Sequence, residues 1–245
     1  MFPIRDHNPS ARTPFVTYAL IAVNVAVFLA SQSAMTSPAA EFRFFVTWGL
    51  VPQQFSAGHN WVALLTSMFL HGGFMHLAGN MLFLWVFGDN LEDTLGHLGY
   101  LGYYLACGAA AGLAQVWSAP LSPVPMVGAS GAIAGILGGY LLLFPRARVD
   151  VLFILVIIFR IFPIPAWIVL GAWFALQLFS GVSANPAAGG VAYWAHAGGF
   201  VAGAAMMIPA WLLRGGPRFW TATHGVPPHP ETSYARSGIP LVRRR

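Results

Sequence analysis

Six stretches of this chain are apolar for long enough to approach or cross a lipid bilayer, and that property leaves few folds open. They run from about Pro14 to Ala30, Phe74 to Phe87 (extending to Leu95), Leu98 to Trp117, Val127 to Phe144, Pro163 to Phe179 and Val191 to Leu213. A hydrocarbon core of ~30 Å needs ~20 residues of helix at 1.5 Å each. Inside lipid the backbone must satisfy its own hydrogen bonds, which favours helices. With 57% hydrophobic and 8% charged residues, and a mean hydropathy of +0.67, one water-soluble core would not hide the apolar surface. The expected fold class is an all-α membrane protein, a polytopic six-transmembrane helix bundle over residues 14–213. A short segment, 1–13, precedes it. A basic tail, 214–245, rich in Pro, Gly, Ser and Arg, reads as disordered. Two further apolar runs fit no span. "WVALLTSMFL" (61–70) is too short, and "VDVLFILVIIF" (149–159) reaches only into the interface or turns back within protein.

Charge orients the bundle. All twelve basic residues are arginine, and most gather before the first span (Arg5, Arg12), after the fourth (Arg146, Arg148) and after the sixth (Arg214 onward), whereas the outer loops carry only Glu41 and Arg43. The positive-inside rule makes those ends, and both termini, cytoplasmic. This topology accounts for the net charge of +5 better than nucleic-acid binding, because the arginines are dispersed. A cleavable signal peptide at the N-terminus is the competing reading of the first span. The lone cysteine, Cys107, excludes an intrachain disulfide framework. Arginine without lysine, together with a short N-terminus, leads us to expect a bacterial inner membrane.

The polar residues inside the spans then fall at one level. In "VPMVGASGAIAGILGGY" (124–140), Ser130 lies about three residues, or ~5 Å, below the start of the fourth span. His196 lies about five residues, or ~8 Å, into the sixth. His76 sits near the mouth of the second span, and Asn80 is one turn deeper on the same face. Ser130 among Gly128, Ala129 and Gly131, taken alone, reads first as a packing residue, since small residues let membrane helices approach closely. A histidine in a span is a functional candidate by default, and Asn80 could be interhelical glue. Their common depth favours chemistry. A serine hydroxyl needs a base within ~3 Å, and neutral imidazole suits that task. Gly199 and Gly203, on the face of His196, would let the sixth span meet the glycine-lined fourth. The Asn80 amide, the His76 imidazole and the Ser130 backbone N–H could serve a developing oxyanion. A metal site built from His71, His76 and His196 is the rival, although no HExxH motif and no carboxylate at that level support one. Proton-coupled transport lacks a mid-membrane carboxylate.

Three motifs, "HGGFMHLAGN" (71–80), "GASG" (128–131) and "HAGGFVAG" (196–203), in that order on the second, fourth and sixth spans, resemble the rhomboid intramembrane serine proteases. "GDNLED" (88–93) is similar to the inner end of that family's second helix. The resemblance covers about residues 14–213. It implies an endopeptidase that cleaves membrane-anchored proteins in or near their transmembrane segments, with the active site opening to the outer side. Ser130 would be the nucleophile and His196 the general base and acid. Asn80, His76 and the Ser130 N–H would be oxyanion donors, with His71, Gly128, Gly131, Gly199 and Gly203 in support. The implied partners are transmembrane substrates and the lipid bilayer, with no cofactor, metal or obligatory protein partner. The fifth span and "GVSANPAAGG" (181–190) would gate access. Two departures stand out. Ala134 occupies the position where some members stack an aromatic ring on the histidine, and Trp61 is followed by Val62 and Ala63 instead of the arginine of some first outer loops. The alternative is a rhomboid-like pseudoprotease that binds membrane clients without cutting them.

Overall fold

A computed structural model describes residues 2–155, 158–183 and 190–226. In chain order the elements are β1 (Phe2–Asp6), α1 (Phe15–Ser31), α2 (Pro38–Trp48), α3 (Pro52–Ser56), α4 (Ala63–Thr66), α5 (Phe74–Leu95), α6 (His97–Ser118), α7 (Ser130–Leu143), β2 (Arg148–Leu155), β3 (Ile158–Pro165), α8 (Ala166–Ser183), α9 (Tyr193–Leu213) and α10 (Pro217–Thr223). The structure is mostly helical, and each long apolar stretch forms a helix. Among the described residues, three helical segments are long and apolar enough to cross a membrane: Phe15–Ala34, Ala166–Ser183 and Tyr193–Leu213.

The centre of the molecule is α7. From Gly131 to Tyr140 every side chain is buried, as expected of a helix that is apolar all round and so has no face to show to solvent. Its neighbours approach through small residues. A Cβ on Gly199 would stand 2.2 Å from the Gly131 carbonyl oxygen, and one on Gly138 would stand 2.1 Å from that of Phe200. Backbone therefore meets backbone between α7 and α9, and no larger residue fits. By contrast α8 lies outside: only Ala166, Leu170 and Gly181 are buried along it.

Polar groups pin the helix ends. Glu92 of α5, almost fully buried, accepts from the backbone N–H groups of Val16 and Thr17 at 2.8 Å each and from the Thr17 hydroxyl at 2.7 Å. Those are orphan donors at the start of α1, which has no cap of its own. Arg214 donates from Nη2 to the Thr94 carbonyl at the end of α5, 3.0 Å away.

Two features correct the sequence reading, and a third adds to it. The fold is not all-α: the run at 149–159, expected only to enter the interface or turn back within protein, contributes its described residues to β2 and β3 of a three-stranded antiparallel sheet of order β1-β2-β3. Val149 and Val151 are buried, while the intervening Asp150 meets Arg5 and His7. This is the period-two pattern of a strand, written in β-branched residues. The register sets Val149 against Ile164 and Val151 against Phe162, and the prolines at 163 and 165 suit the outer strand of the sheet. The tail is also not wholly disordered. Phe219 is buried in α10, and Trp220 donates from Nε1 to the Leu142 carbonyl at 2.9 Å, satisfying an acceptor at the end of α7. Residues 227–245 lie outside the described residues, as does most of the expected 181–190 loop. Finally, the stretch between α1 and α5 is helical in short pieces, and "WVALLTSMFL" contributes α4 and a 3-10 turn over Ser67–Phe69.

Candidate active site

The segment leading into α7 is extended, and this sets where Ser130 stands. Met126 exchanges backbone hydrogen bonds with Leu50 at 2.8 and 2.9 Å, and Gly128 donates to the Ser67 carbonyl at 2.8 Å. Gly128 has φ +128°, a conformation that strongly favours glycine, and a Cβ there would lie 2.8 Å from Nε2 of His76. Helix α7 therefore begins at Ser130 itself, where spacing had implied Val127. Ser130 is not a turn below the helix mouth but at it, so its backbone N–H is one of the unpaired donors of a helix N-terminus. His196 is in the first turn of α9, likewise nearer the mouth than its sequence position implied.

From these two helix starts the side chains converge. Ser130 Oγ is 2.7 Å from His196 Nε2, and His196 Nδ1 is 2.8 Å from Oε1 of Gln177 on α8. A carbonyl oxygen only accepts, so in this arrangement the ring proton sits on Nδ1 and Nε2 accepts from the serine hydroxyl. The Trp173 ring, one turn before Gln177, lies beside the imidazole with centroids 5.9 Å apart and planes inclined by 31°. Ala134 is buried and carries no ring that could play this part.

A cavity of about 620 Å³ opens over the pair and is lined by Ser130, His196, His76, Asn80, Gly128, Gly131 and Trp173, together with apolar side chains that include Met75, Phe83 and Ile133. The Asn80 amide nitrogen is buried without a hydrogen-bond partner among the described residues. Such a donor is costly to leave unpaired, and here it belongs to a residue facing the cavity. Among the described residues no carboxylate lines the space. Among the described residues no three His, Cys, Asp or Glu side chains are grouped as a metal site requires.

The remaining residues singled out by sequence stand elsewhere. His71 does not line the cavity. It is almost fully buried, edge-on to His76 with ring centroids 5.1 Å apart, and burial together with His76 lowers its pKa to about 4. It therefore packs behind His76 as a neutral ring. Gly199 and Gly203 lie in the contact between α7 and α9, away from the cavity wall. Sequence reasoning missed Gln177 and Trp173. The available signal was Gln177 itself, the lone side-chain amide in the apolar helix α8.

Set against known proteins, residues 58–213 match the family model described as the Rhomboid domain. The chain is 33% identical over 197 residues to "Rhomboid protein 1, mitochondrial" of Saccharomyces cerevisiae, which covers 77% of this chain and 51% of that protein. It is 36% identical over 128 residues to "Rhomboid protease GluP" of Bacillus subtilis, covering 52% of this chain and 24% of that protein. With "Rhomboid-like protein 11, chloroplastic" of Arabidopsis thaliana it shares 28% identity over 135 residues, 54% of this chain and 43% of that protein. The chain thus spans about half or less of the length of each of these relatives. The family match runs from the segment before α5 through the end of α9, across every helix that borders the cavity, and the chain belongs to the rhomboid family.

Proposed function

We propose that this chain is an intramembrane serine endopeptidase that cleaves membrane-anchored proteins in or near their transmembrane segments through a Ser130–His196 dyad. The observation that carries the reading is the 2.7 Å approach of Ser130 Oγ to His196 Nε2 in a cavity that Asn80 also lines. Membership in a family with named proteases supports the reaction class.

In this reading Ser130 Oγ attacks the scissile carbonyl carbon while Nε2 of His196 takes the hydroxyl proton. The carbonyl electron pair moves onto the oxygen, which the Asn80 amide, the His76 imidazole and the Ser130 N–H stabilise. When the intermediate collapses, the C–N bond breaks and His196 gives its proton to the leaving amine. Water, deprotonated by the same histidine, then cleaves the acyl ester and restores the serine.

The same proposal takes α1, α5, α6, α7, α8 and α9 as six spans within a membrane domain of residues 14–213. Both termini are cytoplasmic and the cavity opens to the outer side, in keeping with arginine at the expected inner ends. The expectation of a bacterial inner membrane draws no support from the comparisons, since relatives named mitochondrial and chloroplastic stand beside those of Bacillus.

The test is cleavage, by the purified protein in liposomes, of a reporter with a helix-destabilised transmembrane segment. Ser130→Ala should abolish cleavage with the fold intact. A variant that cuts at the wild-type rate would sink the dyad, and a folded wild-type protein that binds but never cuts the reporter would favour the pseudoprotease.

A further inference from the structure

We propose that Gln177 is the positioning residue for the catalytic base: it holds the His196 ring in the tautomer that leaves Nε2 free to accept from Ser130. The proposal rests on the dyad reading above and explains how the base is oriented without a third carboxylate and without an aromatic residue at position 134.

Three observations carry it. Gln177 Oε1 is 2.8 Å from Nδ1, on the side of the ring opposite the 2.7 Å contact to Ser130. A neutral imidazole has one N–H, so the two contacts are coupled. If Nδ1–H donates to the amide oxygen, Nε2 is the acceptor the hydroxyl needs. If the amide presented its NH2 group, Nε2 would carry the proton and Ser130 would lose its base. Second, Gln177 stands on a helix that is apolar apart from Ser180 and Ser183 near its end and whose outer faces are exposed, where an amide is expensive unless paired inward. Third, Trp173 precedes it by one turn on the same face and lies beside the imidazole. One helix face thus sets both the plane of the ring and its protonated edge. The Nδ1 edge of the base on α9 is thus held by α8, while Nε2 meets Ser130 of α7.

The experiment uses the full chain in liposomes with Gln177→Leu, which keeps the bulk and loses the acceptor, and Gln177→Glu, which keeps an acceptor. Gln177→Leu should lower kcat about 10- to 100-fold, part of the roughly 10²- to 10⁴-fold that a positioned base supplies, with KM within about twofold and thermal stability unchanged. Gln177→Glu should recover most of that loss. Solid-state NMR of ¹⁵N-histidine-labelled protein, with His196 assigned by its own substitution, should show protonated Nδ1 and bare Nε2 in the wild type, and loss of that preference in Gln177→Leu. A wild-type kcat or an unchanged tautomer in Gln177→Leu overturns the proposal. So does equal loss in the Glu and Leu variants, or an Nε2-protonated ring in the wild type. The NMR arm reads Gln177 even if the reporter is never cut, whereas activity surviving Ser130→Ala strikes the dyad alone.

Discussion

Gly203 of α9 faces Gly135 of α7 so closely that a Cβ on Gly203 would lie 2.1 Å from the Gly135 carbonyl oxygen and 2.4 Å from its Cα. The contact lies below Ser130 and His196 and sets the distance between the helices that carry them. Gly203→Ala should therefore force backbone apart, since no flexible side chain is there to yield. We expect a stability loss of about 1–3 kcal/mol. If the dyad widens by near 1 Å, turnover should fall about 100-fold. Unfolding in detergent and reporter cleavage read the two effects, and an alanine variant with native values of both would show that the helices separate without consequence.

Asn80 carries a buried, unpartnered amide nitrogen and lines the cavity above Ser130. If it donates to the oxyanion, Asn80→Ala should lower kcat by about 10²- to 10³-fold, equivalent to ~3–4 kcal/mol of transition-state stabilisation, with little change in KM. Steady-state kinetics decide the matter, and unaltered turnover removes Asn80 from that role.

Glu92 accepts two backbone N–H groups and one hydroxyl from the start of α1. Glu92→Ala would leave these donors unpaired in a buried place and should destabilise the protein by about 2–4 kcal/mol. Gln, with one acceptor oxygen, should lose roughly half as much. Thermal unfolding of the three proteins gives the ranking, and equal stability of Ala and wild type would exclude a capping role.

Asp6 of β1 accepts from the Tyr140 hydroxyl at 2.8 Å. Burial raises its pKa from 3.8 to about 7, a shift the nearby Asp89 reinforces and the Tyr140 contact opposes. The folded state thus binds this proton more tightly than the unfolded state. Its contribution is complete below pH ~4 and declines as pH rises toward about 7, then levels off. The difference in melting temperature between wild type and Asp6→Asn, followed from pH 4.5 to 7.5, should shift against the wild type across that window. A constant difference would show that Asp6 titrates normally.

Much of this was legible in the chain. The long helices follow from apolar length, and their ends moved by only a few residues: Pro14–Ala30 became Phe15–Ser31, and Leu98–Trp117 became His97–Ser118. Residues 149–159 were harder, because an apolar run that short has no length signal to separate strand from helix. The β-branched alternation at Val149 and Val151 was the cue, and only pairing with β1 and β3 made a strand the stable outcome. The start of α7 was displaced because the backbone of Gly128 and the bridge from Met126 to Leu50 are tertiary facts.

By itself the sequence determined that lipid is the solvent, that glycine-lined helices can approach, and that Ser130, His196, His76 and Asn80 share one level. These follow from composition and from spacing along single helices, which are local properties. The tertiary structure alone decided that the His196 ring meets Gln177 and Trp173 of α8, that His71 stands behind the cavity wall, and that β1 pairs with β2 and β2 with β3 in one sheet. Those contacts join residues of different elements, and no helical or strand period relates Gln177 to His196.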